Sequence, residues 1–313
     1  MLVRSLGELA PRSHRTIVIN VNTDVVATRA LLSAVEVVKD PVLLVSCEPT
    51  AESRARFARL ADDLGFDVIE APVRTHGQTL DWLFGALRDE YLLLLDSDAE
   101  VREEPFADWM RIKVEDPLVF GAGFTWGPFY VPEAWLAPPG QILYMERPWA
   151  PCVMFDVAAV RGALAAGRTF DARFVPNDVA ISPRASRVLA ARWGPPWATQ
   201  SRTFDRLPGR VRGWLRQQHL DQLRWARRRY HGLRPSMAVY DTGADVYEHL
   251  KFERELLFAG MPMELLDGEV HHYSGVTRFS LHGPSALDTA PEDIDEEVKV
   301  RLRERYGYDW NDR

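Results

Sequence analysis

The sequence predicts an α/β protein with a mostly parallel central sheet and helices on both faces of that sheet. Two observations predict this class. Through the first hundred residues, apolar segments recur about every 25 residues, and segments with helical spacing of apolar residues lie between them. The apolar segments are also unbroken, which is typical of strands in a parallel sheet that is covered on both faces.

The first part of the chain contains four predicted strands and three predicted helices. The strands are Thr16–Asn22, Pro41–Ser46, Phe66–Pro72 and Tyr91–Asp96. The helices are Ala27–Val38, Glu52–Leu64 and Gln78–Arg88. Right-handed crossovers place the carboxyl ends of such strands along one edge of the sheet, where open α/β sheets bind ligands. The residues that follow each strand are therefore the first candidates for a functional site.

The pattern is less regular after Glu115. Cys152–Leu164 reads as a strand that runs into a helix, and Val246–Ala259 reads as a helix that ends at Gly260. The following segment, Met261–Gly275, is strand-like. Aromatic residues are frequent between Trp126 and Trp149. Such residues either stack on a sugar or pack in the core, and the sequence leaves both roles open.

Composition excludes several classes of protein. Hydrophobic residues make up 46% of the 313 residues and charged residues 27%, which is ordinary for a globular protein and not for a disordered one. The longest aliphatic runs, such as Leu92–Leu95, are too short to span a membrane. The first 15 residues lack the apolar stretch of a secretory signal, and two cysteines do not support a disulfide framework. We therefore expect a soluble, cytoplasmic protein.

Charge is distributed unevenly along the chain. The net charge is −7, yet the segment from Arg202 to Arg234 contains ten arginines and two aspartates. Apolar residues within this segment roughly follow a helical stripe, so it is either a solvated insertion or a basic amphipathic helix. Such a helix suits peripheral contact with an anionic membrane, an acidic partner or a phosphate-bearing acceptor. Nucleic acid is not expected as a partner, because no nucleic-acid-reading motif accompanies the basic residues.

The strongest chemical signal is the sequence Asp96-Ser97-Asp98, which follows the apolar run Leu92–Leu95. Carboxylate oxygens are ligands that Mg²⁺ and Mn²⁺ prefer, and these metals are commonly shared with substrate phosphates. The alternative is a turn that ends a strand, since Asp and Ser favour turns. The position at the end of the fourth predicted strand favours a metal site, because that is where an α/β sheet binds ligands.

Three segments resemble the glycosyltransferases of the GT-A fold, and family 2 of that group most of all. They are TIVINVNTDV (Thr16–Val25), RTHGQTLDWLFGALRDEYLLLLDSDAEV (Arg74–Val101) and GRTFDARF (Gly167–Phe174). The resemblance implies one continuous fold, in which residues 1–115 bind a nucleotide-sugar donor and residues 116–313 bind the acceptor, with 202–234 as an insertion. It also implies a divalent metal, Mn²⁺ or Mg²⁺. The sugar would pass from a UDP, GDP or dTDP donor to an acceptor hydroxyl or another nucleophile.

The resemblance assigns donor-binding roles to loop residues. Val21, Asn22 and Thr23 would border the base and ribose of the nucleotide, and Glu48 would bond the base. In the family, an Arg/Asn-x-Gly stretch opens a helix near the diphosphate, and Arg74, His76 and Gly77 occupy that place here. A guanidinium suits the geometry of a phosphate, which favours a diphosphate-binding role for Arg74. The alternatives are that Arg74 is a solvent-exposed loop residue and that His76 is a turn residue.

The resemblance also assigns metal-binding and catalytic roles. Asp98 would bind the metal, and Asp96 would contact the ribose or a metal-bound water, with Ser97 between them. His271 or His272 would complete the metal site or contact the diphosphate. Successive strand side chains face opposite ways, so at most one of the two would point into a cleft. Arg278 would help to hold the diphosphate.

An inverting transfer needs a general base near the acceptor hydroxyl. In the family this base is an Asp or Glu at the start of a helix, and three residues of this chain qualify, namely Asp241, Asp245 and Glu248. The family's Glu-Asp pair is missing, so the sequence does not choose between them. A turn role or a helix-capping role is the alternative for both aspartates.

Two other classes of protein are alternatives to a glycosyltransferase. A nucleotidyltransferase of the sugar-nucleotide pyrophosphorylase type would need a glycine-rich loop with a basic residue after the first predicted strand, and Asn22-Thr23-Asp24 supplies neither. A catalytically silent nucleotide-sugar-binding protein would not need the acidic residues at Asp96 and Asp98. Dehydrogenases and P-loop proteins are excluded because their glycine-rich motifs are missing.

Overall fold

A computed structural model describes residues 2–131, 143–171, 173–174, 239–240, 242–261, 265–273 and 291–312. Asp241, Arg278 and the basic segment 202–234 lie outside these residues. The strands are β1 Leu2–Val3, β2 His14–Asn20, β3 Val42–Cys47, β4 Asp67–Ala71, β5 Tyr91–Asp96, β6 Ala99–Val101, β7 Val119–Val131, β8 Leu143–Asp156, β9 Arg173–Phe174, β10 Val239–Tyr240, β11 Leu257–Met261 and β12 Val270–His272. The α-helices are α1 Asp24–Ser33, α2 Ala51–Leu64, α3 His76–Ala86, α4 Glu104–Val114, α5 Val157–Ala165, α6 Ala244–Glu248, α7 Leu266–Glu269 and α8 Pro291–Tyr306.

Eight of the described strands form one sheet, in the order β1-β4-β3-β2-β5-β8-β7-β11. The pairs from β1 to β5 and the pair of β7 with β11 are parallel, whereas β8 is antiparallel to both β5 and β7. Helices cover the sheet, so the predicted class is confirmed as α/β with a mostly parallel central sheet. This layout agrees with the GT-A fold that the resemblance implies. Strands from both sides of residue 115 belong to the same sheet.

The core consists of two apolar layers, one on each face of the sheet. Successive residues of one strand enter different layers, as Ile17 and Val18 do, which explains why the strands read as unbroken apolar runs. Phe57 of α2 and Phe106 of α4 pack in one layer, and Phe84 of α3 packs in the other. The four predicted strands and three predicted helices are all present, with ends that differ by a few residues.

The prediction of one helix over Val246–Ala259 is wrong in its second half. The helix α6 is followed by a π-helical turn over His249–Glu253, and the chain then forms strand β11. Glu255 has a φ of 56°, a left-handed conformation that an α-helix does not admit. All residues of β11 are buried beside β7, so burial in the sheet decides their conformation. The strand-like segment after Met261 also begins differently, because α7 precedes β12.

Among the helices of the described part of the chain, none is both long enough and apolar enough to cross a membrane.

Candidate active site

The carboxyl ends of β2 and β5 meet where the strand order reverses. From β2 the chain moves to β3 and then β4 on one side, whereas β5 returns to the other side of β2. Ligands of open α/β sheets bind at such a reversal, in the crevice outside the carboxyl ends of the strands. The two loops touch at this point, since the hydroxyl oxygens of Thr23 and Ser97 are 2.9 Å apart. The residues predicted from the two loops therefore lie side by side.

Three side chains predicted as metal ligands cluster at this reversal. The ligand atoms of Asp96, Asp98 and His272 all lie within 4.8 Å of one another. Strand pairing brings the histidine there, because β12 runs antiparallel to β6 with His272 opposite Ala99. The backbone N–H of Tyr273 also donates a hydrogen bond of 3.0 Å to the carbonyl of Asp98.

The donor set fits a divalent metal. Two carboxylates and an imidazole are ligands that Mn²⁺ accepts, and hard carboxylates also suit Mg²⁺. Nε2 of His272 lies 3.1 Å from Oδ1 of Asp98. Two ligands at right angles on one ion, with bonds of about 2.1 Å, are about 3.0 Å apart, so this spacing needs no rearrangement. The remaining coordination positions would be left for water or substrate oxygens.

The electrostatics of the cluster also favour a cation. Burial raises the pKa of Asp96, the nearby His76 lowers it, and the Asp98 carboxylate raises it further, with a net rise. For His272, burial lowers the pKa, but the hydrogen bond to Asp98 and the two carboxylates outweigh burial and raise it. The direction for His272 shows that the carboxylates favour a positive charge beside them, whereas the direction for Asp96 follows mainly from burial.

His76 and Trp149 each contact one residue of the cluster. His76 is the first residue of α3, which Thr75 caps, and its Nε2 lies 3.4 Å from Oδ1 of Asp96. The buried Trp149 meets the ring of His272 edge-on, with 5.0 Å between ring centroids. In the sequence, Trp149 is only one of several aromatic residues. Its contact with His272 depends on where strand β8, which contains Trp149, lies in the sheet.

His271 points away from the cluster. It lies opposite Glu100 in the β6–β12 pair, and its Nδ1 is 2.9 Å from Nη2 of Arg102. Burial lowers the pKa of His271 to about 4, and the nearby arginines lower it in the same direction. The expectation that at most one of the two histidines faces the cleft therefore resolves in favour of His272.

The two adjacent histidines provide a matched test of the metal site. We expect His272→Gln to weaken Mn²⁺ binding about 100-fold, because it removes an imidazole ligand. We expect His271→Gln to change the Mn²⁺ dissociation constant by less than about threefold, because that ring lies on the other face of the strand. Titration calorimetry with Mn²⁺ checks both values. Equal losses in the two variants would contradict the assignment.

The loop after β2 is held by a polar network. The side-chain oxygen of Asn20 accepts hydrogen bonds from the N–H and the hydroxyl of Thr23, and its amide donates to Asp24. Val21 is buried, whereas Asn22 is exposed with a left-handed φ of 53°. A cleft of about 390 Å³ opens beside this loop. It is lined by Asn22, Thr23, Asp24, Val25, Val26, Thr50, Ser53 and Asp295.

Glu48 and Arg74 lie along the same edge of the sheet. Glu48 is exposed with a φ of 46°, and its carboxylate accepts a hydrogen bond of 3.3 Å from the N–H of Val73. The guanidinium of Arg74 lies 5.1 Å from the ring centre of Trp82. Burial raises the pKa of Cys47 to about 11, although the nearby Arg74 acts in the opposite direction.

Gly77 has a packing role that the sequence does not reveal. A β-carbon at this position would lie 2.3 Å from Cα of Asp171 and 2.5 Å from the carbonyl oxygen of Phe170. Around this contact, the carboxylate of Asp171 accepts hydrogen bonds from Thr75 and Gln78. Gly77 therefore allows the backbone of residues 170–171 to rest against the first turn of α3.

The candidate general bases are only partly described. Asp245 is buried in the first turn of α6, and its carboxylate accepts hydrogen bonds from the N–H of Thr169 at 3.3 Å and from Arg168 at 3.5 Å. Glu248 is half-buried on the same helix. Asp241 and Arg278 lie outside the described residues, so their predicted roles remain predictions.

Comparisons with known proteins give likenesses only at the level of structure. No family model matches the chain, and no curated protein matches it. S. aureus TarS 1–349 matches with a TM-score of 0.35 and 14% identity over 48% of this chain and 48% of that one. A 4-diphosphocytidyl-2C-methyl-D-erythritol synthase from Anaerococcus prevotii has a TM-score of 0.37 and 9% identity over 50% of this chain and 75% of that one. A putative glucose-1-phosphate thymidylyltransferase from Bacillus anthracis has a TM-score of 0.34 and 8% identity, over 48% and 74%.

Two further TarS 1–349 structures, at 15% identity, are complexes with UDP and with UDP-GlcNAc. The matched region spans about half of the TarS 1–349 chain. Likenesses at this level do not identify an activity.

Proposed function

We propose that the protein is a metal-dependent glycosyltransferase that uses a nucleoside-diphosphate sugar. The observation that carries this proposal is the cluster of Asp96, Asp98 and His272 at the carboxyl end of β5. The cluster lies at the reversal of strand order, beside the loop Val21–Thr23, so a nucleotide bound there would bring its phosphates next to the acidic pair.

In this proposal, Asp98 and His272 would hold the metal directly, and Asp96 would complete the site or orient a bound water. A Mn²⁺ or Mg²⁺ ion held by these residues would supply the positive charge that neutralises the diphosphate and makes it a better leaving group. Arg74 and His76 lie on the same edge and supply further positive or hydrogen-bonding groups toward the phosphates. Val21, Asn22, Thr23 and Glu48 would border the nucleoside, as the resemblance implies.

Fewer described residues support the proposed role of the protein toward the acceptor. We propose an inverting transfer in which Asp245, Glu248 or Asp241 takes the proton of the acceptor hydroxyl. Asp245 has a described cationic neighbour, since Nη1 of Arg168 lies 3.5 Å from its Oδ1. Contact of the basic segment 202–234 with an acidic acceptor or an anionic membrane belongs to the same proposal.

The proposal predicts that nucleoside-diphosphate binding depends on a metal. We expect UDP, GDP or dTDP to bind about tenfold more tightly, or more, with Mn²⁺ than with EDTA, because the acidic pair otherwise repels the phosphates. Calorimetry with each nucleotide, with and without Mn²⁺, measures this difference. If none of the three binds under either condition, the glycosyltransferase proposal fails.

A screen of donor hydrolysis over a panel of nucleotide sugars would then identify the nucleotide base and the sugar of the donor. Release of the free nucleoside diphosphate supports sugar transfer. Release of a nucleoside monophosphate, or exchange with pyrophosphate, would instead support a nucleotidyltransferase. Binding without turnover of any donor would support a catalytically silent binding protein.

A further inference from the structure

The C-terminal helix α8 contacts both of the short strands that carry the metal-ligand cluster. The hydroxyl of Tyr306 donates a hydrogen bond of 2.6 Å to Glu100 of β6, and Arg305 lies 3.5 Å from the same carboxylate. On the other strand, the hydroxyl of Tyr273, which directly follows β12, donates a hydrogen bond of 2.9 Å to Glu297 of α8. One helix therefore contacts both β6 and the residue that directly follows β12.

A buried arginine joins the same two strands from α1. Arg29 is completely buried, and its Nε lies 3.5 Å from Oε2 of Glu100. Its guanidinium also lies 4.4 Å from the ring centre of Tyr273. Separating Glu100 from Arg29 would leave a charge buried without its partner, which is strongly unfavourable. The ion pair therefore resists any shift of β6 against β12.

The register of these strands decides which histidine reaches the metal site. His272 lies opposite Ala99, and His271 lies opposite Glu100. A shift of one residue would exchange the faces of the two histidines, because side chains alternate along a strand. A ribbon of two three-residue strands has little stability of its own. Contacts from outside the ribbon must therefore fix its register.

We propose that Glu100, Tyr306, Tyr273 and Arg29 are positioning residues for the metal site, and that α8 is the element through which they act. None of the four belongs to the cluster of Asp96, Asp98 and His272. They hold the imidazole of His272 at its distance of 3.1 Å from Asp98. This inference rests on the proposed function only in that the cluster binds a metal.

The test compares Tyr306→Phe with Tyr91→Phe in the full chain. Tyr306→Phe removes the hydroxyl that bonds Glu100, and Tyr91→Phe makes the same chemical change at the opposite end of β5. We expect Tyr306→Phe to weaken Mn²⁺ binding about tenfold, as substitutions of residues that support metal ligands commonly do. We expect Tyr91→Phe to leave Mn²⁺ binding unchanged. Calorimetry with Mn²⁺ gives both dissociation constants, and thermal midpoints without metal show whether the variants are equally folded.

Hydrogen exchange provides a readout that needs no metal. The backbone N–H of Tyr273 donates a hydrogen bond to the carbonyl of Asp98. The hydrogen of this amide therefore exchanges faster when the ribbon of β6 and β12 is loosened. Faster exchange and weaker Mn²⁺ binding in Tyr306→Phe alone support the inference. Mn²⁺ binding equal to wild type overturns it. If wild type itself binds no Mn²⁺, the proposed function fails, and unchanged exchange at Tyr273 would then separately overturn the positioning role.

A second pair of variants covers the case in which Tyr306→Phe does not fold. Glu297→Gln weakens the acceptor of the Tyr273 hydroxyl, and Glu304→Gln makes the same change at another exposed position of α8. We expect weaker Mn²⁺ binding and faster exchange at Tyr273 for Glu297→Gln only. Equal behaviour of the two variants would overturn the inference.

Discussion

Replacing Asp98 by asparagine is expected to abolish sugar transfer while leaving the protein folded. The substitution keeps the shape of the side chain but removes the buried charge that lies 3.1 Å from His272. We expect the rate of donor turnover to fall about 1000-fold or more, because the diphosphate would leave without a correctly held metal. The measurement is donor turnover at saturating Mn²⁺, with Mn²⁺ affinity determined in parallel.

The thermal midpoint separates this effect from unfolding. Burial is the main cause of the raised pKa of Asp96, and the Asp98 carboxylate adds to it, so a neutral residue at position 98 removes one source of repulsion from the metal-free protein. We therefore expect the midpoint without metal to stay the same or to rise. Asp62→Asn, at an exposed position of α2, is the matched control and should leave turnover unchanged. Turnover of Asp98→Asn within a few-fold of wild type would remove Asp98 from the metal site.

Gly77→Ala is expected to cause a large loss of stability. The added β-carbon would lie 2.3 to 2.5 Å from backbone atoms of Phe170 and Asp171, and backbone cannot move aside as a flexible side chain can. We expect a loss of about 3 kcal/mol in the free energy of unfolding. Urea unfolding of the variant and of wild type measures it.

Gly85→Ala, in the last turn of the same helix, is the matched control. A β-carbon there meets no atom within 4 Å. Alanine is the better helix former, so we expect this variant to be more stable by about 0.5 to 1 kcal/mol. The opposite signs of the two variants would show that packing against residues 170–171, and not helix propensity, requires glycine at position 77. A neutral Gly77→Ala would contradict this packing role.

The order of elements in the first half of the chain could be predicted from the sequence. Buried parallel strands must be apolar along their whole length, and the helices between them repeat apolar residues at their own period, so both leave a local signal. The second half leaves a weaker signal. Leu257–Met261 continues the apolar pattern of a helix, and only its burial beside β7 makes it a strand.

The candidate site also contains some features that could be predicted from the sequence and others that could not. Asp96, Asp98 and the loop Val21–Thr23 could be predicted because each directly follows an apolar strand and all such ends meet at one edge of the sheet. The packing role of Gly77 could not be predicted, because it depends on a segment that lies far along the chain. A small residue in the first turn of a helix has several explanations in sequence alone.

By itself, the sequence determined that this protein has an α/β sheet with an acidic pair at the end of its fourth long strand. It also showed that only one residue of the pair His271 and His272 could face that site. The tertiary structure alone decided that this residue is His272, because the choice depends on the register of β12 against β6. Register is set by contacts between distant segments, here those of Arg29 and α8 with Glu100 and Tyr273, and such contacts leave no periodic signal in the chain.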